Sequence, residues 1–433
     1  MEEARDAVLA VAEPVGTERI AAADALGRVV AEVVSARVSL PPWPNSAMDG
    51  YAIVALDTTG ATETKPVELR VIGDIAAGAA PGVTVGPGTT ARIATGARLP
   101  DGADAVVPVE ATTPLDTDGR PGTRGRDATG PLPTATLVHE AVERGGSVRA
   151  AGSDLAAGAT LLRPGLGLTA AAVALVAGAG VEAILVHRRP RIAVLATGDE
   201  VRAPGQDLGP AGIPDANGPG LRALVTAAGA DPIDLGIATD DLDDVLGRLR
   251  DGLAAGADAL IVSGGVSVGP YDVVKTAIET IGRIDLWRVA VQPGKPFAFG
   301  TAQRPGGGAA VLTFGLPGNP VSSAVTFELF VRPAIRALAG RHDLLRPVDR
   351  AVLGEPVSKS RGRRAFIRVV ADLDETGAPA RDPRGRVLVH LAGGQGSHVI
   401  SALAAADALA VIPEADDSLP AGAEVALWWL DRA

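Results

Sequence analysis

Ser263-Gly-Gly-Val-Ser-Val-Gly269 lies between an apolar run, Ala259-Leu-Ile-Val262, and a helix-like opening, Pro270-Tyr-Asp-Val-Val-Lys275. A buried strand, a glycine-rich turn and a helix start can together hold an anion. Glycines admit a ligand close to the backbone, Pro270 suits the first helical position, and the N–H groups of the first turn carry the positive end of the helix dipole. A nucleotide P-loop would need Lys and Ser or Thr directly after Gly269, where Pro270 and Tyr271 stand, and no G-x-G-x-x-G occurs. Any phosphate site here is of another class.

Two further turns share this grammar. Asn217-Gly-Pro-Gly-Leu221 and Leu316-Pro-Gly-Asn-Pro320 each set a small or polar residue and a proline before a helix, which predicts helix N-termini at the carboxyl edge of a sheet. Each alone is better explained by helix capping; three in one unit leave capping and a ligand site evenly matched. Acids join them at the same edge: Thr197-Gly-Asp-Glu200, Thr239-Asp-Asp241 and Asp272. Carboxylates at several strand ends can hold Mg²⁺, although Asp240, Asp241 and Asp272 also stand where an acid favours a helix start, and capping is the better account of Asp241. In Val291-Gln-Pro-Gly-Lys-Pro296, two prolines around Gly-Lys fix a turn that presents the Lys295 ammonium to an oxyanion. Lys275 is either a second such cation or a solvated helix-face lysine. Upstream, Pro41-Pro-Trp-Pro-Asn-Ser-Ala-Met-Asp-Gly-Tyr-Ala52 reads as an extended loop with one acid, Asp49, anchored by Met48 and Tyr51. Composition alone makes it a linker.

The elements that must position these residues alternate. Strands over 192–196, 232–237, 259–262, 286–291 and 310–314 are interleaved with helices over 220–228, 242–254, 271–281 and 321–338, the spacing of βαβ units around a mostly parallel sheet. Residues 1 to about 40 carry helix-like apolar spacing at Ala7, Val8, Val11, Ile20, Leu26, Val29 and Val30, and 168–179 is an Ala-rich helical pattern. From Lys65 to Glu110 short alternating runs predict a small β module, with 116–130 as a mobile surface loop whose arginines are solvated. Short strands return after Arg341, at 366–370, 409–412 and 425–429. The reading is a multidomain α/β and β protein. A mixed helical N-terminal domain takes 1–43 and 150–188, a small β-rich module 44–149, a three-layer α/β domain 189–341, and a β-rich domain 342–433.

Composition narrows the function. The 433 residues hold no cysteine and five scattered histidines, against disulfides, thiolate nucleophiles and zinc clusters. A formal net charge of -11 disfavours nucleic acid and repels anionic substrates at long range, so local positive elements must overcome that field. The start of the chain is charged, and the apolar stretch from Thr169 to Val186 is broken by glycine and acid, so the expectation is a cytoplasmic protein with no membrane partner.

Six words in order resemble the molybdopterin molybdenumtransferases, the bacterial MoeA proteins and the E domain of gephyrin. They are Asn45 to Ala52; Arg92-Ile-Ala-Thr-Gly-Ala97 with Gly102-Ala-Asp-Ala-Val-Val107; Ala196-Thr-Gly-Asp-Glu200; Ser263 to Gly269; Gln292-Pro-Gly-Lys-Pro296; and Gly315-Leu-Pro-Gly-Asn-Pro320. The resemblance implies an elongated four-domain homodimer that inserts molybdate into adenylated molybdopterin with Mg²⁺ and release of AMP. Its cleft lies between the α/β domain of one subunit and the β module of the other. Asp49 and Thr95 then belong to the partner side. Glu200, Asp240, Asp272, Gly264, Gly265, Ser267, Gly269, Lys275, Arg288, Gln292, Lys295, Pro296, Pro317, Asn319 and Pro320 belong to the α/β side, with Glu200, Asp240 and Asp272 as metal ligands. Asp154 matches a family position, and Ser322, Arg363 and Ser397 look like residues near the oxyanion. Many members carry lysine where Gln292 stands, so this site has one positive charge fewer, while Arg288 keeps the charge where relatives have Lys. Two other readings are a molybdopterin adenylyltransferase, opposed by the single α/β domain, and a non-catalytic carrier or scaffold, for which no basic or aromatic-rich groove speaks.

Overall fold

The computed structural model describes residues 1–125, 130–265, 273–304 and 306–430. At its centre is a six-stranded sheet in the order Asp231–Ala238, Arg191–Thr197, Ala259–Ser263, Val311–Leu316, Ala298–Ala302, Gly282–Trp287. The first four strands are parallel, and Ala298–Ala302 runs antiparallel to both of its neighbours. Alternation along one strand builds the layers. Ile192 and Val194 enter a core under the helices Asn217–Ala227 and 320–338, while Ala193 and Leu195 enter a second core under Leu242–Ala254 and Val273–Ile281. Both faces are therefore dry, as central parallel strands require. The helix from Pro320 passes through a π turn at Phe327–Val331 and ends at Leu338.

At one end of this sheet the sequence expectation fails. The strand expected over 286–291 is Gly282–Trp287; it stops at Arg288, whose φ of 84° is left-handed, and Val291–Gln292 pairs instead with Arg364–Ala365 of the last domain. Ala298–Ala302 was missed because Gly300 interrupts it. A side chain there would meet the Arg283 carbonyl oxygen at 1.9 Å, so close strand pairing requires the glycine.

The segment around Asp49 is not a linker. Gly50–Ile53 lies inside a six-stranded sheet ordered Ala105–Pro108, Gly50–Ile53, Thr89–Ile93, Val67–Ile75, Ala135–Val138, Thr112–Leu115, and Asn45–Ser46 pairs with Val148–Arg149. Tyr51 is wholly buried, as expected of an anchor, but Met48 is 41% exposed and anchors nothing. Arg124, in the loop read as carrying solvated arginines, forks onto Glu63 at 2.5 and 2.7 Å.

After Arg341, five strands close on themselves: Arg364–Ala371, Val387–Leu391, Val348–Leu353, Glu424–Trp429 and Ala408–Ile412, with the last pairing back to the first. Inward residues such as Ala365, Ile367 and Val369 fill this barrel, while Phe366 and Leu409 face the α/β core.

The N-terminal region is far less helical than its apolar spacing implies. Among residues 1–43 the α-helix is Glu2–Leu9, and it buries Ala4 and Val8 against the α/β core. Ile20 lies in the strand Thr17–Ala21, and Val29–Val30 is a strand as well; both pair with Ala183–His187. That partner lies some 160 positions along the chain, and its pairing overrides local helical spacing. The helix expected at 168–179 forms at Ala170–Gly178. No helix among the described residues is long and apolar enough to cross a membrane.

Candidate active site

A cleft of about 640 Å³ opens at the carboxyl ends of the parallel strands. Glu200, Asp240, Gly264, Gly265, Pro296, Pro317, Asn319, Pro320 and Ser322 all line it. Close packing at the strand ends shapes its floor. Gly264 has φ 108° and Gly265 φ 62°, and a side chain on either would strike Thr197 at 2.6 Å or Val274 at 2.7 Å. Only glycine serves there. The Ser263 hydroxyl donates to the Pro317 carbonyl at 3.3 Å and lies 3.4 Å from the Ser323 hydroxyl, and Asn217 Nδ2 donates to the Gly318 carbonyl at 2.7 Å. The three turns are thus tied together. Ser267, Gly269 and Asp272 lie outside the described residues.

Two of the helix starts are already partly capped by protein. Asp215 accepts from Gly218 N at 2.8 Å, and the Ser397 carbonyl accepts from Val321 N at 3.2 Å. Ser397 therefore meets the helix start at Pro320 through its main chain, from the barrel domain, and does not itself line the cleft. Asp241 caps the helix Leu242–Ala254 through Asp243 N and Asp244 N, the role expected of it. Asp240 and Asp199 hold each other's main chains, Asp240 N donating to Asp199 Oδ1 at 3.1 Å and Asp199 N to Asp240 Oδ2 at 3.4 Å. Asp244 accepts from Thr239 N and Oγ1 at 2.9 and 3.0 Å. The Thr239 amide bond, with help from Arg248, holds the Asp244 carboxyl below its ordinary range.

Glu200 and Asp240 are exposed carboxylates in one cleft, a donor set that suits a hard cation completed by water and phosphate oxygens. Among the described residues no three His, Cys, Asp or Glu side chains gather to hold a metal.

Several expected residues stand outside the cleft lining. Lys295 is exposed on the turn beside Pro296, and Gly294 packs that turn so tightly on the following helix that a side chain would meet Thr326 at 2.5 Å. Gln292 Oε1 accepts from Ser360 N at 3.3 Å, so its oxygen is spent on the barrel domain. Lys275 pairs with Glu279 at 3.9 Å along its helix, the solvated-face alternative. Arg288 is exposed. The Arg363 carbonyl accepts from Lys359 Nζ at 2.8 Å. Asp154 N donates to the Leu40 carbonyl at 3.0 Å, far along the chain from the cleft residues. Asp49 and Thr95 are joined to each other in the β module, where Asp49 Oδ1 accepts from Thr95 N at 2.7 Å and Oγ1 at 2.9 Å.

Sequence reasoning missed two residues here. His398 lines the cleft from the barrel domain; its signal was its place next to Ser397. Arg368 is fully buried, and its Nη2 donates to the carbonyls of Gly394 and Gly396 at 3.0 and 3.1 Å. It braces the loop that carries Ser397 and His398. An arginine inside the apolar run Phe366-Ile-Arg-Val-Val370 was the available sign.

This fold and cleft define a multidomain α/β protein with a cleft at the carboxyl ends of its parallel strands. Residues 1–180 match the MoeA N-terminal region (domain I and II), 193–337 a probable molybdopterin binding domain, and 350–430 the MoeA C-terminal region (domain IV). Molybdopterin molybdenumtransferase 2 of Mycobacterium tuberculosis is 38% identical over 410 residues, covering 93% of each chain. The molybdopterin molybdenumtransferase of Nostoc sp. is 36% identical, over 92% of this chain and 85% of that one. A crystal structure of a molybdopterin biosynthesis MoeA protein from Pyrococcus horikoshii superposes with a TM-score of 0.77 at 30% identity, covering 99% of this chain and 98% of that one. The chain belongs to the molybdopterin molybdenumtransferase family, transferases of molybdenum cofactor biosynthesis.

Proposed function

We propose that this chain inserts molybdate into adenylated molybdopterin and releases AMP, working as a homodimer. The observation that carries the reading is the convergence of Glu200, Asp240, the glycine turn at Gly264–Gly265 and the Pro317–Ser322 turn on one cleft. Strand-end amides and the Lys295 ammonium would bind the pterin phosphate and molybdate, and Pro296 and Pro320 would fix the turns that aim them. Glu200 and Asp240 would hold Mg²⁺, which when bound neutralises phosphate charge. Asp49 and Thr95 do not line this chain's cleft and would enter it from the partner subunit. The chemistry needs no Ser-His or Cys-His pair, because positioning and charge stabilisation suffice for a phosphoanhydride.

The test is AMP release from adenylated molybdopterin with molybdate and magnesium. Replacing Asp240 by Asn, or Glu200 by Gln, lowers that rate about a hundredfold, the order seen when one transition-state contact is removed. Full turnover in both variants removes these carboxylates from the reaction. AMP-charging of molybdopterin from ATP without molybdate would replace this reading with adenylyl transfer.

A further inference from the structure

The cleft is acidic although its proposed ligands are anions. Glu200, Asp215 and Asp240 line it, whereas Lys275, Arg288 and Lys295 do not. Among the described residues that do, His398 alone has a side chain able to carry positive charge. It is also the one lining residue that the barrel domain supplies.

The loop that presents this imidazole is fixed. Val399 N donates to the Gly396 carbonyl at 3.1 Å and Ile400 N to the His398 carbonyl at 3.0 Å. Buried Arg368 holds the same Gly396 carbonyl at 3.1 Å, and the ring packs so closely on Gly396 that a side chain there would meet Cε1 at 2.8 Å and Nδ1 at 3.2 Å. His398 is thus positioned through Gly396 by Arg368. Its ring is nevertheless exposed, and its nitrogens make no hydrogen bond or ion pair among the described residues. An imidazole keeps at least one N–H in either protonation state. The Asn217 amide in the same cleft is by contrast spent on the Gly318 carbonyl at 2.7 Å.

We propose that His398 donates a ring N–H to a tetrahedral oxyanion held at the strand-end turns, so that the barrel domain supplies a binding group of its own. The proposal rests on the reading of the cleft as an oxyanion site. A donor to a charged oxygen contributes more than one to a neutral acceptor, and this one stands where three carboxylates would otherwise repel the ligand. Molybdate and a phosphate share this chemistry, and the experiment separates them.

Because the side chain is exposed, it can be replaced without opening a core. Binding of molybdate alone and of AMP alone is measured by calorimetry on the whole protein and on the His398→Ala and His398→Gln variants, with urea midpoints to show that both are folded. The expected result is a loss of about tenfold in affinity for at least one anion in His398→Ala, the order of a hydrogen bond to a charged group. His398→Gln, which keeps an N–H, should recover most of it. A loss confined to molybdate puts the contact on the metal oxyanion, and one confined to AMP puts it on the phosphate. Unchanged affinity for both anions in His398→Ala overturns the contact, as does an equal loss in the two variants, which a donor does not explain. If the native protein binds neither anion, the cleft reading falls and this inference with it; native binding that survives His398→Ala removes the inference alone.

Discussion

Arg368 carries a guanidinium into a site with no surface exposure and spends it on two main-chain carbonyls. Burial alone pulls its pKa below the usual arginine value, and its Nε has no hydrogen-bond partner among the described residues. A buried charge that is met only by carbonyls is costly to keep. The return is geometric, because the braced loop delivers Ser397 to the start of the helix at Pro320 and His398 to the cleft. Arg368→Met should therefore strand the Gly394 and Gly396 carbonyls, lower unfolding stability by about 1–3 kcal/mol and raise the KM for molybdate. Urea titration and steady-state kinetics check both effects. Asp244 permits a prediction of another kind. Its carboxyl lies below the ordinary range through the Thr239 amide bond, so the stability it lends the loop is present above roughly pH 4, the unfolded value, and is lost as pH falls through the lower folded one. The protection of the Thr239 amide, the intrinsic exchange rate at each pH relative to the observed one, should be constant across neutral pH and fall only in that acid window.

Glycines set the geometry of the turns at the next scale up. Gly264 has φ 108°, and a Cβ would lie 2.6 Å from both the carbonyl and the hydroxyl oxygen of Thr197. Gly264→Ala should cost about 1–3 kcal/mol in backbone strain alone, measured by urea unfolding, and should widen the strand-end floor. The same glycines made this element legible in sequence, since a buried apolar run ending in Gly-Gly marks a strand that stops at a tight turn. Legible too were Leu242–Ala254, found at its full expected length, and the four parallel strands, because continuous apolar runs between helical patterns admit one arrangement. Elements defined by distant partners were not legible. Ile20 and Val29 read as helix because the strand at Ala183–His187 is invisible to a local window. Gly300 hid a strand because its reason, the Arg283 carbonyl, lies on the neighbouring chain segment. Motif residues of the α/β domain come together at one candidate cleft. His398 and Arg368 escaped because the barrel contributes them through closure of strands far apart in sequence.

For the whole molecule, the proposed role of Asp49 and Thr95 depends on how chains associate. They are hydrogen-bonded to each other in the β module, yet neither lines the α/β cleft of the same chain. Large apolar side chains at Leu26, Val33, Val38, Trp43 and Met48 are exposed along the segment that leads to them, the chemistry of an interaction surface. A two-fold dimer would resolve both facts, because each module could complete the other subunit's cleft. Such an arrangement has a signature that one-chain catalysis lacks. Chains carrying Asp49→Ala and chains carrying Asp240→Ala are each inactive alone, but a mixed dimer pairs one doubly damaged cleft with one intact cleft. Random mixing makes about half the dimers mixed, each with one working site of two, so AMP release should recover to about a quarter of the native level per site. Native mass spectrometry establishes that mixed dimers form. If they form and no activity returns, each cleft is completed within its own chain and the exchange of Asp49 between subunits is wrong.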